Sequence, residues 1–95
     1  MDYFEFLAST TNPQPPSVSS LHLQALWYDK KNNWDKAHTI AQDIHDEFGS
    51  RIHAYLHRRE DDNSNARYWY NKAGQPFPKD SLEMEWENMV KELLA

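Results

Sequence analysis

Apolar residues recur along this chain at intervals of three and four, the spacing of one helix face, and no strand pattern survives beside them. The pattern breaks at two proline-bearing stretches. "TNPQPPS" (residues 11–17) holds three prolines, which cannot continue a helix or a central strand. "QPFP" (75–78) is the second break. Before the first break, "DYFEFLA" predicts a short helix with Tyr3, Phe4 and Leu7 on one face. After it come four helical segments. "SVSSLHLQALWYDKK" has serine caps and is apolar on most sides, so it is expected to be buried on most sides. "NNWDKAHTIAQDIHDEF" follows, capped by Asn33 and ended at Gly49 by a left-handed turn. "SRIHAYLHRRE" and "DDNSNARYWYNKA" complete the set, the latter closed by Gly74. The last segment, "KDSLEMEWENMVKELLA", carries Leu82, Trp86, Met89, Val90 and Leu93 in one stripe, with Asp80 and Glu83 spaced as a capping box.

The expected architecture is one all-α domain over residues 1–95. A short N-terminal helix (1–10) and a proline-rich loop (11–17) precede two antiparallel helical hairpins (18–78), and a C-terminal helix (79–95) caps the stack.

The two hairpins are related to each other. An offset of 29 residues aligns "ALWYDKKNNWDKAHTIA" with "AYLHRREDDNSNARYWY" without a gap, taking Ala25 to Ala54 and Ala37 to Ala66. Each unit reads as helix, polar turn, helix, with a small residue where the two helices cross. This pattern resembles the tetratricopeptide repeat family, which pairs a small residue in its first helix with an Ala twelve positions on. Tyr28, and in the second unit Tyr70, Ala73 and Pro78, match further family positions. The first unit has Ala41, Ile44 and Gly49 where the second has Tyr70, Ala73 and Pro78, and the period is shorter than the family's ~34 residues. The resemblance covers about residues 18–78. It implies a concave face, lined by the first helix of each hairpin, that binds extended peptides. The stretch over residues 53–74 is also similar to one in small uncharacterised bacterial proteins, which implies no activity.

Composition narrows the function classes. Four Trp, five Tyr and four Phe give a chain of 95 residues large core pieces. With no cysteine there is no disulfide, thiolate metal site or cysteine nucleophile. The mean hydropathy is −0.96, and no apolar run approaches the ~20 residues of a membrane span. The start "MDYFEFLAST" lacks the features of a secretory leader, so a cytoplasmic location is expected. The net charge of −5 argues against nucleic acid as a partner. That charge is unevenly placed: residues 1–50 carry −4 and residues 51–95 only −1, with all four arginines between Arg51 and Arg67.

Two sets of residues carry candidate chemistry. Arg51, Tyr55 and Arg58 share one helical stripe, and Arg59 adjoins it. By the repeat alignment, Leu26 and Lys30 extend that face. Such a face suits a carboxylate or phosphate on a short apolar segment. The competing reading is structural: Arg58 is spaced to pair with Asp62, and Arg59 with Asp61, Asp62 or Asp29. The expected function is a non-catalytic protein-interaction module, its partner an acidic protein or peptide, with no cofactor, membrane or nucleic acid involved. On this reading, changing Arg58 and Arg59 to Glu removes binding and leaves folding intact. A homodimer exchanging Trp86, Met89 and Leu93 of the last helix is a further arrangement.

The second set is His53 and His57, spaced to share one helix face and so to grip one metal, with His38, Asp35 or His22 as a third ligand. The residue after His53 is Ala54, so the glutamate of zinc-protease helices is absent. Packing across the hairpin is the plainer use of these rings. The alternative function is a small metal-dependent or anion-binding enzyme using His53 and His57. With two glycines there is no phosphate-cradling loop, and no carboxylate is expected to lie in an apolar run where burial would raise its pKa.

Overall fold

The computed structural model describes residues 1–17 and 19–95; Val18, in the first predicted hairpin segment, lies outside the described residues. Six helices follow in order: α1 (Tyr3–Ser9), α2 (Leu21–Lys30), α3 (Trp34–Gln42), α4 (Glu47–Arg59), α5 (Asn63–Lys72) and α6 (Leu82–Leu94). No strand occurs among the described residues, and no helix among them is long and apolar enough to cross a membrane.

α2 packs on α3 and α4 on α5, forming two antiparallel hairpins joined through α3 and α4. α6 lies against the first helices, α2 and α4, and α1 packs on α6. The two hairpin turns have the same geometry. Asn32 and Asp61, 29 residues apart, both adopt the left-handed conformation, with φ of 61° and 63°. Asn and Asp tolerate that region because their short polar side chains bond locally. The Asn33 amide donates to the Tyr28 carbonyl at 2.9 Å, and the Asp62 amide to the His57 carbonyl at 3.0 Å. Asn33 and Asp62 then cap the following helices through the amides of Lys36 and Asn65. Ala25, Ala37, Ala54 and Ala66 are all fully buried, so backbones come close within each hairpin.

The main core joins Phe6, Leu26, Trp27, Ile52, Tyr55, Leu56, Trp86, Met89 and Val90. A smaller cluster of Ala54, Ala66 and Tyr70, with Trp69 and Phe77 against it, fills the second hairpin. Buried tryptophans keep their N–H groups bonded: Trp27 donates to the Ser9 hydroxyl at 3.1 Å and Trp86 to the Leu26 carbonyl at 2.9 Å.

Three local expectations are corrected. The third segment does not run to Gly49; α3 stops at Gln42, and Asp46 starts α4 by accepting the Gly49 amide at 2.6 Å. Gly49 therefore sits in the first turn of α4, where a Cβ would come within 2.4 Å of the Ile44 carbonyl oxygen. Close approach of backbone, and not a left-handed turn, requires this glycine. α6 is capped by Ser81, which accepts the Met84 amide at 3.1 Å, and not by Asp80. The reciprocal capping box occurs instead at α1, between Asp2 and Glu5. In α1 the buried face is Tyr3, Phe6 and Leu7, while Phe4 is 75% exposed. Phe6 is one turn beyond Tyr3, and Phe4 lies about 100° round from it.

Candidate functional site

The three histidines of the second set meet at the junction of the two hairpins. α3 contributes His38, and α4 contributes His53 and His57. Each offers a ring nitrogen, and these nitrogens all lie within 4.8 Å of one another. The Nε2 atoms of His38 and His53 are 3.0 Å apart, so one carries a hydrogen that the other accepts. The i, i+4 spacing stacks His53 on His57 at 4.9 Å between centroids.

Tryptophans close the cluster on two sides. Trp34, at the start of α3, stacks on His38 at 4.7 Å and donates its N–H to the Leu56 carbonyl at 2.8 Å. Trp69 of α5 stacks on His53 at 4.0 Å. Burial against this apolar wall favours the neutral form of His38 and His53. Burial lowers the pKa of His53 from 6.5 to about 4, helped by its neighbours His38 and His57. Burial also lowers His38, with His57 adding to the effect. A neutral imidazole keeps the lone pair that a metal needs.

His57 is 8% exposed, and its Nδ1 has no hydrogen-bond partner. The carboxylates of Glu60 and Asp62, in the turn that follows, stand 3.7 and 3.9 Å from that nitrogen. On the other flank, His53 and Trp69 help line an open cleft of about 550 Å³, whose rim includes His45, Asp46, Gly49 and Lys72. The Lys72 ammonium lies over the Trp69 ring, 5.2 Å from its centroid. The other third ligands considered lie elsewhere: His22 pairs with Asp46 at 2.9 Å, and Asp35 is not among the converging groups.

The arginine face takes a different form from the expected one. Its six residues gather along the first helices, and α6 packs against Leu26, Lys30, Arg51 and Arg58, while Lys30 and Arg59 keep exposed side chains. Arg51 pairs with Glu92 at 2.8 Å and Arg58 with Glu85 at 2.6 Å, while Arg58 also donates to the Asp80 carbonyl. Lys30 lies 4.8 Å above the centre of the Trp86 ring. Leu26 and Tyr55, expected to line an open groove, are 0% and 1% exposed. Arg59 pairs with Asp29 at 3.0 Å, one of the pairings its sequence position allowed. The groove's complement, an acidic and apolar segment, is supplied by the chain's own last helix.

One buried carboxylate, Asp29, overturns the expectation that none would lie where burial raises its pKa. Asp29 is buried, accepts the Tyr55 hydroxyl at 2.8 Å and pairs with Arg59. Burial raises its pKa, although Tyr55, Arg59 and Lys30 each pull it back. Glu85 is also buried, between Arg58 and the Tyr70 hydroxyl. The sequence signal for Asp29 was its place directly after Ala25, Leu26, Trp27 and Tyr28, on a helix with no wide polar face. For Glu85 it was adjacency to Trp86 on the edge of an apolar stripe. Trp34 and Trp69 were legible as apolar positions, but not as walls of a histidine cluster.

No family model, curated protein or solved structure matches this chain.

Proposed function

We propose that this protein is a small helical domain that binds a late first-row divalent metal ion, with His38, His53 and His57 as its protein ligands. The observation that carries this reading is the convergence of three imidazole nitrogens within 4.8 Å of one another, with His53 bordering an open cleft. Imidazoles suit Zn²⁺, Ni²⁺, Co²⁺ and Cu²⁺, whereas Mg²⁺ and Ca²⁺ prefer oxygen. With metal–nitrogen bonds of about 2.0–2.1 Å, tetrahedral ligands stand about 3.3 Å apart. His38 and His53 are already close to that separation. Closing the widest pair takes about 1–2 Å of side-chain movement, within reach of small imidazole rotations. Three protein ligands leave a fourth position, and His53 gives the cluster a border on the cleft.

Calorimetric titration of chelator-treated protein with Zn²⁺ and Ni²⁺ tests the reading. A single site of micromolar or tighter affinity, lost in His38→Ala and in His53→Ala and absent for Mg²⁺, is the expected result. No binding, or binding that survives both substitutions, would leave the cluster as packing alone.

A second reading has its own support. The first-helix face holds α6 through Glu85, Glu92 and Trp86, the acidic and apolar chemistry expected of a partner. On that reading the module recognises an acidic amphipathic helix, and its own α6 is the resident one. A labelled peptide of residues 79–95 that fails to bind the full chain at any temperature below unfolding would remove it.

A further inference from the structure

We infer that the α4–α5 turn supplies an outer shell to the trihistidine site, with Glu60 and Asp62 positioning His57 so that Nε2 is its ligand atom. This inference rests on the metal-binding reading.

The starting observation is the buried Nδ1 of His57, which has no hydrogen-bond partner although two carboxylates stand just beyond bonding distance, at 3.7 and 3.9 Å. An unpartnered buried polar atom is costly, so a native fold that keeps one gains from it elsewhere. A neutral imidazole has one N–H and one lone pair, and its surroundings decide which nitrogen holds which. Two anionic acceptors on the Nδ1 side favour the proton there. The lone pair then falls to Nε2, the same atom through which His38 and His53 already meet. A metal-bound histidine that donates its other N–H to a carboxylate is fixed in tautomer and orientation and becomes a stronger ligand. Closing His57 Nδ1 onto Glu60 takes about 1 Å, no more than the movement that closes the trio around an ion.

Charge points the same way. A dication held by three neutral imidazoles between Trp34 and Trp69 needs compensating negative charge nearby. Glu60 and Asp62 supply two such charges, and the neighbouring Arg58 is already engaged with Glu85.

The first hairpin serves as an internal control. It builds the same turn, with Asn32 in the left-handed region and Asn33 as the helix cap. At the positions equivalent to His57, Glu60 and Asp62 it has Tyr28, Lys31 and Asn33. The turn therefore forms without either carboxylate, and the acidic pair occurs only in the copy whose first helix carries a histidine in its last turn.

The control also selects the variant. Glu60→Gln with Asp62→Asn removes both charges and retains a capping side chain of the kind Asn33 provides. Co²⁺ is titrated into the chelator-treated full chain and followed by its visible absorption bands. The double variant is expected to bind Co²⁺ about 10–100-fold more weakly than wild type, with altered band positions, while the metal-free melting temperatures agree within about 2 °C. Wild-type binding with an unchanged spectrum and affinity in the double variant would overturn the outer-shell inference alone. Absence of Co²⁺ binding by the wild type would overturn the metal reading beneath it.

Discussion

The Nε2 atoms of His38 and His53 lie 3.0 Å apart, one on the second helix of the first hairpin and the other on the first helix of the second. That contact exists only when the hairpins stack, so the chemistry of the cluster reports directly on the fold.

The first consequence concerns acid. The folded pKa of His53 lies near 4, below its ordinary 6.5, because it is buried beside His38 and His57. The rings packed around it are His38 from α3, Trp69 from α5 and His57 from α4. With a depressed histidine pKa, the unfolded chain takes up the proton first as pH falls. Metal-free protein should keep this contribution in full above pH 6.5 and lose it progressively down to about pH 4. Discounted for partial solvation and for sharing among three rings, the loss is about 1–2 kcal/mol, or roughly 5–10 °C in melting temperature. Melting scans at pH 7.5, 6 and 5 measure it, and His53→Gln should flatten the slope.

Metal addition should act in the opposite direction. An ion that binds only the folded state, present at a hundredfold excess over its dissociation constant, stabilises by about 2.7 kcal/mol. For a domain of this size that raises the melting temperature by roughly 10 °C or more. The shift should appear with Zn²⁺ or Ni²⁺, reverse on chelation, and vanish in His53→Ala.

Arg58→Glu is expected to destabilise the fold, whereas the sequence-based expectation is that changing Arg58 and Arg59 to Glu leaves folding intact. Glu85 is 4% exposed, and Arg58 is its cationic partner at 2.6 Å. Removing one member of a buried pair costs about 3–5 kcal/mol, because the other charge is left uncompensated. Arg67→Glu, on an exposed residue whose guanidinium lies over Phe77, should cost less than about 1 kcal/mol. Urea unfolding of the two variants separates these outcomes.

The two glycines should respond differently to alanine. In Gly49→Ala the new methyl meets the Ile44 carbonyl oxygen and side chain, so either the α3–α4 connection or the first turn of α4 must shift. A cost of about 1–3 kcal/mol follows from such overpacking. Gly74 has φ of 69° and open space around it. Its substitution costs only the left-handed preference, about 1 kcal/mol. Denaturation midpoints that rank Gly74→Ala as the worse variant would contradict this account.

The sequence by itself determined the elements. Apolar spacing and capping residues placed the helices and the two hairpin turns, apart from the α3–α4 junction and the cap of α6. These are local quantities, fixed by side-chain period and by which residues tolerate a left-handed turn. The spacing of His53 and His57 was legible for the same reason, since four residues on one helix return to the same face.

What the tertiary structure alone decided was which faces meet. Periodicity showed that α6 had an apolar stripe, but only packing laid that stripe across α2 and α4 and closed the arginine groove with Glu85 and Glu92. It likewise turned Asp29 from a surface acid at a helix end into a buried partner of Tyr55 and Arg59. The histidine cluster needed both levels. Two of its members share a helix face by local geometry, and the third arrives from the other hairpin because α3 packs on α4.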